Sequence, residues 1–146
     1  MPDKFSSLRE TSAYEPPCAP PPTGLLRVLM VEDDIDTATA LLMTLQKWAY
    51  DGRACTSGNE ALALAPSFRP HAVLIDIGLP DMDGCKLARK LRELGVDATM
   101  IAVTGHGEGD DYYRSRKAGI DFHLVKPDFK PQLRQLLERI RRDTGA

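Results

Sequence analysis

Cysteine is scarce in this 146-residue chain. Cys18, Cys55 and Cys85 are an odd number with no C-x-x-C pair, which argues against both a disulfide framework and a structural zinc site. No apolar run approaches the ~20 residues that span a bilayer, and the first residues lack the apolar core of a secretory signal. A cytoplasmic protein with no membrane role is expected. Positive charge is not in surplus either: 19 Lys and Arg stand against 21 Asp and Glu, for a formal net charge of -2. The broad basic footprint that holds proteins on nucleic acid is therefore missing. There is no G-x-x-x-x-G-K-[ST] loop, no G-x-G-x-x-G after the first strand and no G-x-S-x-G elbow. Nucleotide hydrolysis, dinucleotide binding and esterase chemistry thus lack their usual residues.

Proline is unevenly spread. Six of the 11 prolines (Pro2, Pro16, Pro17, Pro20, Pro21 and Pro22) precede Gly24, in a stretch with few branched aliphatics. Such a segment buries too little to offset the entropy of ordering, so residues 1–24 read as a flexible tail, with an extended, polyproline-like portion over 16–22. One domain is expected over 25–142 and a short tail over 143–146. From Leu25 onward, short aliphatic runs alternate with helical patterns: Leu25 to Val31, Ala72 to Ile75, Met100 to Val103 and Leu124 to Val125, with a weaker run at Arg53 to Thr56. The stronger runs are continuously apolar, as strands buried on both faces would be. Ile35, Ala38, Leu42, Leu45 and Ala49 mark one amphipathic helix; Leu87, Leu91 and Leu94 a second; Leu133, Leu136, Leu137 and Ile140 a third. Gly95 and Gly119 stand where helices would end. A further helix over 108–118 has the weakest pattern. Strand ends near 31, 55, 75, 103 and 125 are each separated by about one strand plus one crossover helix. Five β-α units with parallel pairing and helices on both faces follow, a doubly wound three-layer α/β fold.

In such a sheet, ligands bind outside the carboxyl ends of the strands. Glu32, Asp33 and Asp34 follow the first strand, Asp76 the third and Thr104 the fourth; Lys126 and Pro127 follow the fifth. Carboxylates gathered at one edge repel and desolvate one another unless a cation offsets them. Oxygen ligands with a nearby lysine suit Mg²⁺ better than Zn²⁺. A carboxylate beside Mg²⁺ and an ammonium can attack an activated phosphoryl group to give an acyl phosphate, with Thr104 as a hydroxyl donor.

Four segments carry a resemblance. Val28 through Asp34, Val73 through Gly84 (VLIDIGLPDMDG), Val103-Thr104-Gly105 and Val125-Lys126-Pro127 occur in order and at matching spacing. Together they closely resemble the response regulator receiver domain of two-component signalling, from residue 25 to about 142. The resemblance implies a flavodoxin-like (βα)5 fold with sheet order 2-1-3-4-5, and a signalling protein rather than a conventional enzyme. It implies that Asp76 accepts the phosphoryl group and that Asp33, Asp76 and the carbonyl of Gly78 ligate Mg²⁺, with Glu32 acting through a water on the ion. Thr104 and Lys126 match the family's switch hydroxyl and phosphate-pairing lysine, and Lys126-Pro127 its cis peptide. The donor would be a histidine kinase or phosphotransfer protein. Because the chain ends just past the last helix, output is expected through a downstream protein, a phosphorelay step or a homodimer. The expected docking face is formed by the last two helices and the strand bearing His123, and catalysis is limited to the protein's own phosphorylation and autodephosphorylation.

Two departures from the family pattern matter. His123 stands three residues before the lysine, where Tyr or Phe is common, and Gly78 and His106 occupy positions that influence how water reaches the phosphoryl group. Asp34 matches no metal position and fits a helix N-cap. Other readings are blander: His71 and His106 at the surface, Trp48 as packing, Cys55 and Cys85 as small buried hydrophobes, and Arg134, Arg139, Arg141 and Arg142 as the solvated side of the last helix. Two other functions compete with this reading. One is a receiver-like interaction module that works without phosphorylation. The other is a phosphatase, against which Gly78 stands where such enzymes often carry an acid/base Asp.

Overall fold

The central strands form because their residues are apolar on both faces. In a computed structural model, which describes residues 24–105, 117–126 and 128–145, β1 (Arg27–Val31), β3 (Ala72–Asp76) and β4 (Thr99–Thr104) are buried along nearly their whole length. β2 (Asp51–Cys55) and β5 (Phe122–Val125) flank them and are partly exposed. All pairs are parallel and the order is β2-β1-β3-β4-β5, the expected 2-1-3-4-5 arrangement.

Parallel pairing requires a crossover between successive strands. Three of the four crossovers hold described helices, α1 (Ile35–Lys47), α2 (Gly58–Phe68) and α3 (Gly84–Glu93), and α4 (Lys130–Thr144) follows β5. The tail expected over 1–24, apart from Gly24, and the helix expected over 108–118, apart from its last two positions, lie outside the described residues. Strand alternation splits the core in two. Val28, Met30, Leu74, Ile101 and Val103 pack with Leu45 of α1 and with Leu133 and Leu137 of α4. Leu29, Val31, Val73, Ile75 and Met100 pack with Ala61 and Ala65 of α2 and with Leu87 and Leu91 of α3. The result is the expected three-layer sandwich.

The helix ends follow from local chemistry. Asp34 caps α1, its carboxylate accepting from the Thr37 N–H at 3.2 Å. Ser57 caps α2 by accepting from Glu60 N–H at 3.1 Å, while Glu60 accepts from Thr56 N–H at 2.7 Å, a reciprocal capping arrangement. Asp83 caps α3 by accepting from the Cys85 N–H at 2.7 Å. Gly95, just past α3, has φ 85°, the left-handed conformation that glycine adopts at least cost. Among the described residues, no helix is long and apolar enough to cross a membrane.

Candidate phosphoryl-transfer site

Because all strands are parallel, the residues that follow them share one edge of the sheet. Glu32 and Asp33 follow β1, Asp76 closes β3, Thr104 closes β4 and Lys126 follows β5. Asp33 is exposed, Asp76 half-buried, and Glu32 and Thr104 buried. One carboxylate oxygen from each of Glu32, Asp33 and Asp76 lies within 4.8 Å of the others. The Lys126 ammonium stands 3.4 Å from Glu32 Oε1 and 3.6 Å from Asp76 Oδ2. Its pKa feels burial, which lowers it, but the Asp76 and Glu32 carboxylates outweigh that and hold it above the usual lysine value. Glu32 is pushed above the ordinary glutamate range, first by burial and also by Asp76; the Asp34 N–H and Lys126 offset this only in part.

Neighbouring bonds fix this geometry. Glu32 Oε2 accepts from the Asp34 N–H at 3.2 Å and Asp76 Oδ1 from the Gly78 N–H at 3.1 Å. The Thr104 carbonyl accepts from the Lys126 N–H at 2.7 Å, so the threonine and the lysine are joined through the backbone. The other acids nearby have different work. Asp34 is bound to the first turn of α1 and Asp83 to that of α3. Asp81 accepts from the Gly58 and Asn59 N–H groups at 2.9 and 3.0 Å, tying the loop after β3 to the start of α2; these bonds, Gly58's first, hold its carboxyl below the usual range. Sequence reasoning did not single out Asp81, whose partners are more than twenty residues away.

His123 is half-buried opposite Ala102 on β5 and, by strand alternation, on the same sheet face as Thr104. Gly78 is exposed, and a Cβ there would meet only Asp76 Oδ1, at 3.9 Å. Pro127, hence the Lys126-Pro127 peptide, and His106 lie outside the described residues. His71 does not join the site; its Nδ1 accepts from the Arg27 N–H at 2.9 Å at the opposite edge of the sheet. Cys55 and Cys85 are buried in the core, as expected.

The donor chemistry can be tested against the implied metal. Among the described residues, every candidate ligand in the cluster is a carboxylate oxygen, and no imidazole or thiolate takes part. With Lys126 included, the ionised groups sum to two negative charges. Hard oxygen ligands, partial solvent access and a deficit of positive charge fit Mg²⁺.

Comparison with known proteins agrees with the geometry. The sequence model of the response regulator receiver domain family matches residues 28–140. The response regulator MprA of Mycolicibacterium vanbaalenii is 33% identical over 125 residues, covering 83% of this chain and 54% of that protein. The chain spans about half the length of the curated relatives it matches. A CheY-like receiver domain protein from Methanospirillum hungatei aligns at a TM-score of 0.72 with 28% identity, over 82% of this chain and 98% of that one. The receiver domain of the sensor histidine kinase PA1611 from Pseudomonas aeruginosa, solved with a magnesium ion coordinated in its active-site cleft, aligns at 0.71 with 28% identity, over 78% and 95% of the two chains. With its strand order, its acidic cluster and its lysine at the matching edge, the chain belongs to the response regulator receiver domain family, whose members are signalling proteins that work with histidine kinases or phosphotransfer proteins.

Proposed function

We propose that the chain is a phosphorylation-dependent signalling switch in which Asp76 accepts a phosphoryl group from a histidine kinase or phosphotransfer protein. The convergence of Glu32, Asp33, Asp76 and Lys126 within a few ångströms supports this most directly. Asp33, Asp76 and the Gly78 carbonyl would hold Mg²⁺, with Glu32 acting through water; the ion supplies positive charge to the oxygens of the transferring group. An Asp76 carboxylate oxygen attacks phosphorus in line, the bond from phosphorus to the donor imidazole nitrogen breaks, and an acyl phosphate remains on Asp76. Lys126, already 3.6 Å from Asp76 Oδ2, pairs with the new charge, and the Thr104 hydroxyl donates to a phosphoryl oxygen. Hydrolysis of the acyl phosphate returns the resting carboxylate, and Gly78 contributes no side-chain acid or base to that step.

Phosphorylation replaces the single carboxylate charge of Asp76 with a phosphoryl group carrying about -1.5 to -2 charges, and Thr104 and His123, on one sheet face, relay the change to the surface formed by β5 and the helices beside it. A downstream protein reads that surface. Incubation with Mg²⁺ and acetyl phosphate followed by intact-mass measurement tests the reading. One acid-labile phosphoryl adduct is expected, absent with EDTA and absent in Asp76→Asn. An adduct that persists in Asp76→Asn overturns the assignment.

A further inference from the structure

Away from the acidic edge, Trp48, the only tryptophan in the chain, closes the end of α1 and is half-buried. Its ring meets Tyr50 edge-on at 6.4 Å between centroids, and the Arg134 guanidinium lies 5.3 Å from the ring centroid. With Lys130, Arg134, Glu138 and Arg142 it lines a surface groove of about 690 Å³ along α4. The groove combines a flat indole, the apolar stems of long cationic side chains and a positive rim. Its one carboxylate, Glu138, is engaged by the Tyr50 hydroxyl and by Arg141. An aromatic groove of this kind suits a polyproline segment, whose backbone is already extended and whose rings pack on indole.

The chain itself contains such a segment. Five of the seven residues Pro16–Pro22 are proline, and from Glu10 to Gly24 there are two carboxylates, Glu10 and Glu15, and no Lys or Arg. The lengths agree. At roughly 3.1 Å per residue, Pro16 to Pro22 spans about 19 Å; at roughly 1.5 Å per residue, Lys130 to Arg142 spans about 18 Å. The point of attachment agrees as well. The Leu26 carbonyl accepts from the Asp51 N–H at 2.8 Å, placing the start of β1 one residue from Tyr50, which borders Trp48 and is bonded to Glu138. The described chain thus begins beside the groove's Glu138–Arg142 end, from which a segment laid along α4 would bring Glu15 toward Lys130.

We propose that Pro16–Pro22 lies in the Trp48–α4 groove of its own chain, prolines on the indole and Glu15 at the cationic rim. It forms a folded-back leader that covers the outer side of α4 and that any partner docking there must displace. Tethering raises the local concentration of the segment to about the millimolar range, so modest intrinsic affinity suffices.

A nitroxide on Cys18 of the full-length, ¹⁵N-labelled protein tests this, because Cys55 and Cys85 are only 4% and 3% exposed. The expected result is that the Trp48 indole and the Arg134 and Glu138 amides lose more than half their intensity and recover when the nitroxide is reduced. The loss should be relieved in Arg134→Glu and in the triple Pro20→Ser, Pro21→Ser, Pro22→Ser variant, with signals elsewhere unchanged. Broadening no greater at Trp48 than at Ala63 and Lys90 overturns the proposal, as does broadening that survives the triple substitution. Broadening of unlabelled ¹⁵N chains by nitroxide-bearing ¹⁴N chains at equal total concentration assigns the contact to a second copy and also overturns it.

Discussion

Asp33→Asn should make the metal-free protein more stable and the magnesium-loaded protein less so. Asp33 stands within 4.8 Å of carboxylate oxygens on Glu32 and Asp76, whereas the Lys126 ion pairs run to Glu32 and Asp76. Two unit charges at that separation repel by about 0.9 kcal/mol in a water-like medium and about 3.5 kcal/mol at an effective dielectric of 20. Asp33 is exposed, so the lower figure applies. Two neighbours give about 1.7 kcal/mol, and salt screening with the longer-range attraction of Lys126 reduces this to about 1 kcal/mol. In EDTA, Asp33→Asn should therefore melt about 3–6 °C above the wild type. With magnesium the order should reverse, because wild type gains about 2.7 kcal/mol at a hundredfold excess over its dissociation constant while the variant has lost a ligand. Thermal and urea unfolding of both proteins, with EDTA and across a magnesium titration, measure this. A variant less stable than wild type in EDTA, or equal magnesium stabilisation of both, would refute the electrostatic reasoning.

Glu32 gives a pH signature. Its carboxyl is raised in the folded state, so the folded protein binds this proton more readily than the unfolded chain. Its contribution is full below the ordinary glutamate value near 4.5 and is lost as pH rises through the higher folded pKa. The metal-free protein should lose stability over that interval, and Glu32→Gln should flatten the slope in urea titrations at stepped pH. Gly84→Ala places a Cβ 3.0 Å from the Ile77 Cα and 3.1 Å from Ile75 Cγ2, and should cost about 1–3 kcal/mol by denaturant unfolding. Arg92 donates to the Ala98 and Gly119 carbonyls at 2.7 and 2.9 Å and to Asp121 at 3.0 Å. Arg92→Met should destabilise by about 2–3 kcal/mol in the same assay.

What could be read from sequence depended on whether the cause was local. β1, β3 and β4 announce themselves because strands buried on both faces must be continuously aliphatic. β2 gave a weak signal since, as an edge strand, it buries little beyond Cys55. The expected first strand began at Leu25, but pairing starts at Arg27, and Leu25 is 37% exposed. On α1 the expected apolar stripe included Ile35 and Ala49, which are exposed, and omitted Leu41, which is buried. The periodicity fixed a helix, and the tertiary contacts chose its face. The Ser57-x-x-Glu60 signal for the start of α2 was present in the sequence and passed unused. Asp33, Asp76 and Thr104 were legible because each stands at the end of a buried run, whereas Lys126 follows the partly exposed β5 and stood out through the Val125-Lys126-Pro127 segment in order with the others. The bonds of Arg92 to Gly119 and Asp121, and of Asp81 to α2, join residues more than twenty positions apart, and no local pattern encodes them.

The sheet order makes the site mechanically uneven. The strands leading to the acids and the threonine are laced to neighbours on both sides, whereas the short strand leading to Lys126 is stitched along one margin only. The negative partners are anchored and the cation hangs on the looser selvedge. Under the proposed phosphorylation of Asp76, the change of charge would act first where the weave resists least, at the border of the sheet.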